Sequence, residues 1–201
     1  ILFAGVLFSN NLLHWQLLRL SMIGFILFCF LSGSVYILND IVDVEKDKLH
    51  PKKSKRPIAS GQVKAGQALM FFAFLLIGSL TASFWLSFYF GLIGLGYVLL
   101  VVLYSFKLKN IVILDIMAIS LGFVLRAVAG SVLVGVRISP WLILCTLLLS
   151  MFLALHKRKS EMLIFVSGAG TSRKILEEYT PELINDMLHI EIGRASCRER
   201  V

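Results

Sequence analysis

LSMIGFILFCFLSGSVYILNDIVDVEKDKLHPKKSKRP, residues 20–57, passes from nineteen uncharged residues into a ladder of acids and then a cluster of bases. Its first half decides the fold. As a helix, Leu20–Leu38 is about 28 Å long, enough to cross a hydrocarbon core of about 30 Å. Inside lipid a lone segment must satisfy its own backbone groups, which a helix does.

The same signal recurs outward from this stretch. Ala65–Phe106 carries no charge and is long enough for two spans, with a tight turn predicted around Ser83–Ser87. Ile111–Val136 predicts another span and Ile138–Leu155 a fifth, with Pro140 near its first turn, where proline is tolerated. Glu161–Phe165 reads as a short interfacial helix. A further helix is expected from Tyr179, with Thr180 as N-cap and Pro181 at N1. Composition agrees: 58% of residues are hydrophobic and 16% charged. A soluble domain has about 45–50% and about 25%. The expected class is an all-α, polytopic transmembrane bundle.

The net charge of +8 does not indicate nucleic acid, because the bases sit in short connections between spans. Residues 44–64, 107–109 and 157–159 are Lys/Arg-rich, whereas the alternate connections hold little beyond Arg19 and Arg137. By the positive-inside rule the basic connections are cytoplasmic, beside anionic lipid. Cys29 and Cys145 lie in apolar runs, form no paired motif, and read as buried free thiols.

Both ends look truncated. The chain starts at Ile1 inside an apolar run, which reads as a cut helix, and EIGRASCRERV, residues 191–201, resembles a translated sequencing-adapter oligonucleotide. The expected natural segment is therefore 1–190, a partial transmembrane domain, with 191–201 foreign to it.

The second half of the opening stretch carries the chemistry. Asp40, Asp43 and Asp47 are spaced i, i+3, i+7, one face of a helix, with Glu45, Lys46 and Lys48 expected to point elsewhere. Three like charges on one face call for a cation. An oxygen-only donor set suits Mg²⁺, which is typically held by one or two carboxylates plus substrate phosphates. Asn39 adds a neutral polar group, and Lys53 and Arg56 downstream suit phosphate oxygens. Together these read as a diphosphate grip. The plainer alternative is a solvated helix end followed by a loop that touches anionic lipid.

Two charges fall in the fourth uncut segment, Ile111–Val136. Asp115 lies near its start, and Arg126 follows three turns later on the same side, about 16 Å along the axis. Arg126 at mid-membrane depth is either a site for an anion or polar group in a central cavity or a structural residue satisfied from another helix. Ala127, Ser131 and Gly135 recur every four residues and predict close helix packing. FFAF at 71–74 reads as lipid-facing or packing surface.

The ND-x2-D-x3-D pattern at Asn39–Asp47 resembles the first Asp-rich motif of the UbiA superfamily of membrane-embedded prenyltransferases. NDIVDVEKDKLHPKKSKRPIASG and YSFKLKNIVILDIMAISLGFVLRAVAG are together similar to one branch, the decaprenyl-phosphate phosphoribosyltransferases. The resemblance covers residues 1–190. It implies a bundle of nine helices around a cavity open to the cytoplasm, of which about five are complete here. It implies Mg²⁺-dependent transfer of 5-phosphoribose from phosphoribosyl diphosphate to a polyprenyl phosphate, at a bacterial plasma membrane. Asn39, Asp40, Asp43 and Asp47 would hold the metal and diphosphate, with Lys53 and Arg56 on phosphate groups. Tyr104, Lys109 and Asp115 would form the second motif, and the family's Lys-Arg pair falls on Lys157 and Arg158. Aromatic-substrate members carry a D-x3-D second motif where this chain has the single Asp115. An aromatic prenyltransferase and a non-catalytic transporter or lipid-binding protein are the alternatives. A homo-oligomer is compatible with either enzyme.

Overall fold

The computed structural model describes residues 1–8, 14–49, 53–111 and 113–166. Among them the chain is helical: α1 Ala4–Phe8, α2 Trp15–Val42, α3 Val44–Lys48, α4 Ala65–Leu86, α5 Phe88–Phe106, α6 Leu114–Val134 and α7 Pro140–Val166. Single 3-10 turns stand at Lys53–Lys55 and Leu108–Asn110. Among the described residues five helices are long and apolar enough to cross a membrane, namely α2, α4, α5, α6 and the first part of α7.

α2 lies at the centre and packs on α4, α5 and α6, while α7 packs on α6 and α1 on α6. The core forms where α2, α5 and α6 meet: Phe28, Leu31 and Val35 against Phe90, Tyr97, Val98, Ala129 and Leu133. Phe28 meets Phe90 edge-on at 5.6 Å between ring centroids and Tyr97 at 5.4 Å. The outer surface is apolar too, with Met70, Phe71, Phe74, Ile77 and Trp85 of α4 exposed. Lipid imposes no penalty on such a face; of the FFAF run, Phe71 and Phe74 lie on it and Phe72 and Ala73 are half-buried. Cys29 and Cys145 are exposed rather than buried, so the sequence expectation fails for both. A thiol behaves as a small hydrophobe, and an apolar solvent tolerates it outside as readily as a core does inside.

The connection between α4 and α5 is tighter than expected. Only Ser87 leaves the helical path, with extended backbone, while Ser83 is buried and donates its hydroxyl to the Ser79 carbonyl at 2.7 Å. The predicted Glu161–Phe165 helix is not separate, because α7 runs unbroken to Val166. No Gly or Pro follows Pro140 within it to stop the helix. The expected segments from Tyr179 and at 191–201 lie outside the described residues.

The small-residue stripe is half correct. Ala127 and Ser131 are buried, but Gly135 ends α6 at φ +71° and has open space around its Cα. The close approach is made by Gly130, where a Cβ would collide with the Leu2 carbonyl oxygen, and by Gly5, whose Cβ would lie 2.8 Å from the Ser131 hydroxyl. Gly130→Ala should therefore lift the segment before and including α1 off α6, since overpacking costs about 1–3 kcal/mol. A Val6→Cys reporter, at a fully buried position, should resist maleimide in the parent and react in the Gly130→Ala background. Equal protection in both would show that α1 absorbs the methyl group.

Candidate functional site at the polar end of the bundle

Successive spans run in opposite directions, so the C-terminal ends of α2, α5 and α7 meet the N-terminal ends of α4 and α6. This brings the acidic ladder and the three basic connections to one end. Asn39 and Asp40 occupy the last turn of α2. The helix yields at Asp43, with φ −96° and ψ 10°, and α3 resumes at Val44. The Asp43 N–H still bonds the Asn39 carbonyl at 2.9 Å, and the Asp47 N–H bonds the Asp43 carbonyl at 2.9 Å.

Asp40 and Asp47 do share a side, and one guanidinium nitrogen spans them. Arg56 Nη1 donates to Asp40 Oδ1 at 2.7 Å and Asp47 Oδ2 at 2.8 Å. Asp43 faces a different base: Lys109 Nζ reaches its Oδ1 at 2.7 Å and Oδ2 at 2.9 Å. The three acids thus do not converge on one point, and among the described residues no cluster of three potential ligands is close enough to hold a metal ion. The expected continuous face is broken because α2 ends before Asp43, and cationic side chains relieve the repulsion between the acids. Lys46 does not point clear of the ladder either, lying 3.8 Å from Asp43 though well exposed, while Lys48 pairs with Glu45 at 2.8 Å on the surface. Lys53 sits on the 3-10 turn just before Arg56.

The second motif is built across three helices. Asp115, in the first turn of α6, is fully buried. Its Oδ1 accepts from the Tyr104 hydroxyl of α5 at 2.9 Å and from Arg158 Nη2 of α7 at 3.1 Å. Its Oδ2 accepts from Arg158 Nε at 2.5 Å. Arg158 is itself 1% exposed, so this forked pair is an interior one. Just before it, Ile113 has φ +72° and ψ −50°, near the rare γ-turn conformation. For a β-branched residue that is a strained backbone, of a kind that clusters at functional sites.

With this geometry in view, residues 1–161 match the family model described as the UbiA prenyltransferase family. The chain belongs to that family. It is 37% identical over 158 residues to the decaprenyl-phosphate phosphoribosyltransferase of Mycolicibacterium smegmatis, covering 79% of this chain and 50% of that protein. It is 39% identical over 162 residues to the enzyme of the same name from Corynebacterium glutamicum, covering 79% and 48%. The chain thus spans about half the length of the curated relatives it matches. Its fold is that of a UbiA homolog from Archaeoglobus fulgidus, solved with DMAPP and Mg²⁺, with TM-score 0.74 and 19% identity over 87% of this chain and 62% of that one.

The remaining predicted site residues of this UbiA member fall into place unevenly. Of the Lys-Arg pair, Arg158 enters the cluster and Lys157 stays exposed outside it. Arg126 belongs to a separate group. Its Nη2 donates to the Tyr97 hydroxyl at 2.5 Å and approaches the Ser32 hydroxyl at 3.5 Å. Its guanidinium carbon lies 5.0 Å from the Tyr97 ring centre and 5.2 Å from that of Phe123. The partner supplied from another helix is therefore a phenol and a π-face rather than an acid. Sequence reasoning missed Tyr97 and Ser32, which carry no charge signal. Their only cue is that a mid-membrane Arg requires polar company.

Proposed function

We propose that the protein to which this chain belongs transfers 5-phosphoribose from phosphoribosyl diphosphate to a polyprenyl phosphate, at the cytoplasmic face of a bacterial plasma membrane. The observation that carries the reading is the Lys109–Asp43 pair, which ties a base of the second motif to an acid of the first. The names of the relatives support the donor and acceptor. The second motif supports the branch: its one acid, Asp115, has both oxygens engaged by Arg158 and Tyr104, so it offers no second carboxylate pair for a prenyl diphosphate.

Mg²⁺ fits the donor set. The Arg56 nitrogen already lies within hydrogen-bond distance of both Asp40 and Asp47, so one cation can be shared between them. Asp40 and Asp47 would hold the ion, which when bound supplies neutralisation of the diphosphate leaving group, while Asp43, turned to Lys109, fixes that base for the phosphate oxygens. Arg56, Lys53 and Lys109 donate to phosphate oxygens, Arg56 through its planar fork. They hold the donor so that the acceptor phosphate oxygen meets the anomeric carbon. The bond from that carbon to the acceptor forms, and its bond to the diphosphate oxygen breaks. The acceptor oxygen is already ionised at neutral pH, so no general base is needed. Asp115 acts at a distance by positioning Arg158 and Tyr104.

Membranes containing the full-length protein should move label from phosphoribosyl diphosphate into the lipid fraction when Mg²⁺ and a polyprenyl phosphate are present. Transfer instead from a labelled prenyl diphosphate to an aromatic acid would reassign the protein to the aromatic-substrate branch. Label in neither assay would favour a non-catalytic role.

A further inference from the structure

We propose that Trp15, Trp85 and Trp141 form a collar that docks on the headgroup layer of the leaflet farther from the polar site, and so fixes the depth at which that site stands in the bilayer. The inference does not depend on the reaction proposed above.

The three tryptophans of the sequence stand on three different helices. Trp15 opens α2, Trp85 is next to last in α4 and Trp141 is second in α7. The polar cluster takes the C-terminal ends of α2 and α7 and the N-terminal end of α4, so all three indoles lie at the opposite end of the bundle. Each is exposed, 67% at Trp15, 96% at Trp85 and 56% at Trp141. Trp is on average a highly buried side chain. Three bare ones at one end call for a medium that suits an apolar ring with a polar N–H, and the boundary between hydrocarbon and headgroups is that medium. α4 packs on α2 and α5, and α7 packs on α6, so Trp85 and Trp141 stand on different sides of the bundle. A lipid layer reaches both sides, whereas the face of one partner protein does not.

Length agrees with this placement. From Ala65, the first residue of α4, to Trp85 the helix rises about 30 Å, the thickness of the hydrocarbon core. From Trp141 to Arg158 α7 rises about 26 Å. On α2 the exposed Arg19 marks the same boundary, and Trp15 stands about 6 Å beyond it, farther into the headgroups. The lipid-facing side of α4 runs without a break through Phe74 and Ile77 to Trp85, and Phe88 and Tyr89 stand exposed beside it. The corner that carries these rings is stiff. Ser87 alone leaves the helical path, its N–H bonds the Ser83 carbonyl at 3.1 Å, and a Cβ on Gly91 would lie 2.6 Å from the Phe84 ring. Whatever holds Trp85 at one level therefore holds α4 and α5 with it, and through them the polar end one hydrocarbon thickness away.

The test reads depth. Full-length protein in phosphatidylcholine nanodiscs carries one nitroxide at a time, at Trp15→Cys, Trp85→Cys, Trp141→Cys or Phe74→Cys, with its other cysteines replaced by alanine. All four positions are exposed, so the bundle keeps its packing. Electron paramagnetic resonance compares collisions with oxygen, which concentrates in hydrocarbon, with collisions with a water-soluble nickel chelate. The labels at 85 and 141 should fall within one headgroup layer, about 5–7 Å thick. The label at 15 should lie on its outer side, and the label at 74 about 16 Å deeper than that at 85. A second readout tests the hold itself. With all three tryptophans replaced by leucine, a label at Phe88→Cys should shift toward the hydrocarbon, because leucine lacks the polar N–H that keeps an indole at the boundary. Labels at 85 and 141 shielded from both reagents would overturn the proposal, since a second copy or the rest of the protein would then cover them. Nickel collisions as frequent as in free water would overturn it too, by placing that end in the aqueous phase. A Phe88 label of unchanged depth in the leucine background would overturn the anchoring role.

Discussion

Asp115→Ala should destabilise the bundle by about 3–5 kcal/mol, the cost of removing one partner from an interior ion pair and leaving the other. Arg158 is the side chain left behind, 1% exposed and held by both carboxylate oxygens through Nε and Nη2. The pair joins α6 to α7, and the Tyr104 hydroxyl joins α5 to the same carboxylate. Losing it should loosen three helices at once. Heating the full-length protein in detergent and following the monodisperse fraction reads this directly, and Arg158→Met should fall by a similar amount. The double variant Asp115→Leu/Arg158→Met should recover most of the loss, because a buried pair replaced by apolar residues is often neutral or better. A double variant as unstable as either single one would mean that the pair contributes net stability of its own rather than avoiding a penalty.

The five spans were legible because lipid imposes one requirement, length in apolar residues, and the sequence writes it without interruption. The alternation of basic connections was legible for the same reason, and antiparallel packing turns that alternation into a shared polar end. Pairing was not legible. Lys109 and Asp43 are 66 positions apart and Arg158 and Asp115 are 43 apart. Periodicity says which residues share a helix face, not which base lies across the bundle. The reading of Asp40, Asp43 and Asp47 as a single face was right for the outer two and wrong for the middle one, since the helix yields at that residue. α7 was cut short for a different reason: the bases at 157–159 mark where the chain leaves lipid, but a helix need not end where the hydrocarbon does. Ile113 gave no signal at all, because a β-branched residue at positive φ is held there by its surroundings and not by its own preference.

Asp43→Ala should behave in the opposite way to Asp115→Ala, lowering the transfer activity about 100-fold while the protein still inserts and stays folded. Changing a residue that only supports a metal ligand costs about 10–100-fold, and Asp43 both flanks the proposed metal pair and fixes Lys109 for the phosphate oxygens. Its side chain is 14% exposed and its position is on the rim of the cluster, so the lost pair is less completely buried than the Asp115–Arg158 pair. Its chemical effect is larger because Asp43 is the acid through which Lys109 ties the two motifs together. Asp43→Asn should lose nearly as much, since a neutral amide neither attracts Lys109 as strongly nor balances a divalent ion. Glu45→Ala is the control: it lies two residues away with only an exposed pair to Lys48, and such pairs contribute about 0–1 kcal/mol. It should leave both activity and stability near the parent. Labelled lipid formed per folded protein separates the cases. If Asp43→Ala keeps activity within a few-fold, the acidic ladder does not hold the diphosphate, and the cluster at the polar end is a brace throughout. If it loses activity and keeps its fold, the cluster divides into a bracing half centred on Asp115 and Arg158 and a gripping half centred on Asp43, with Lys109 as the side chain that joins them.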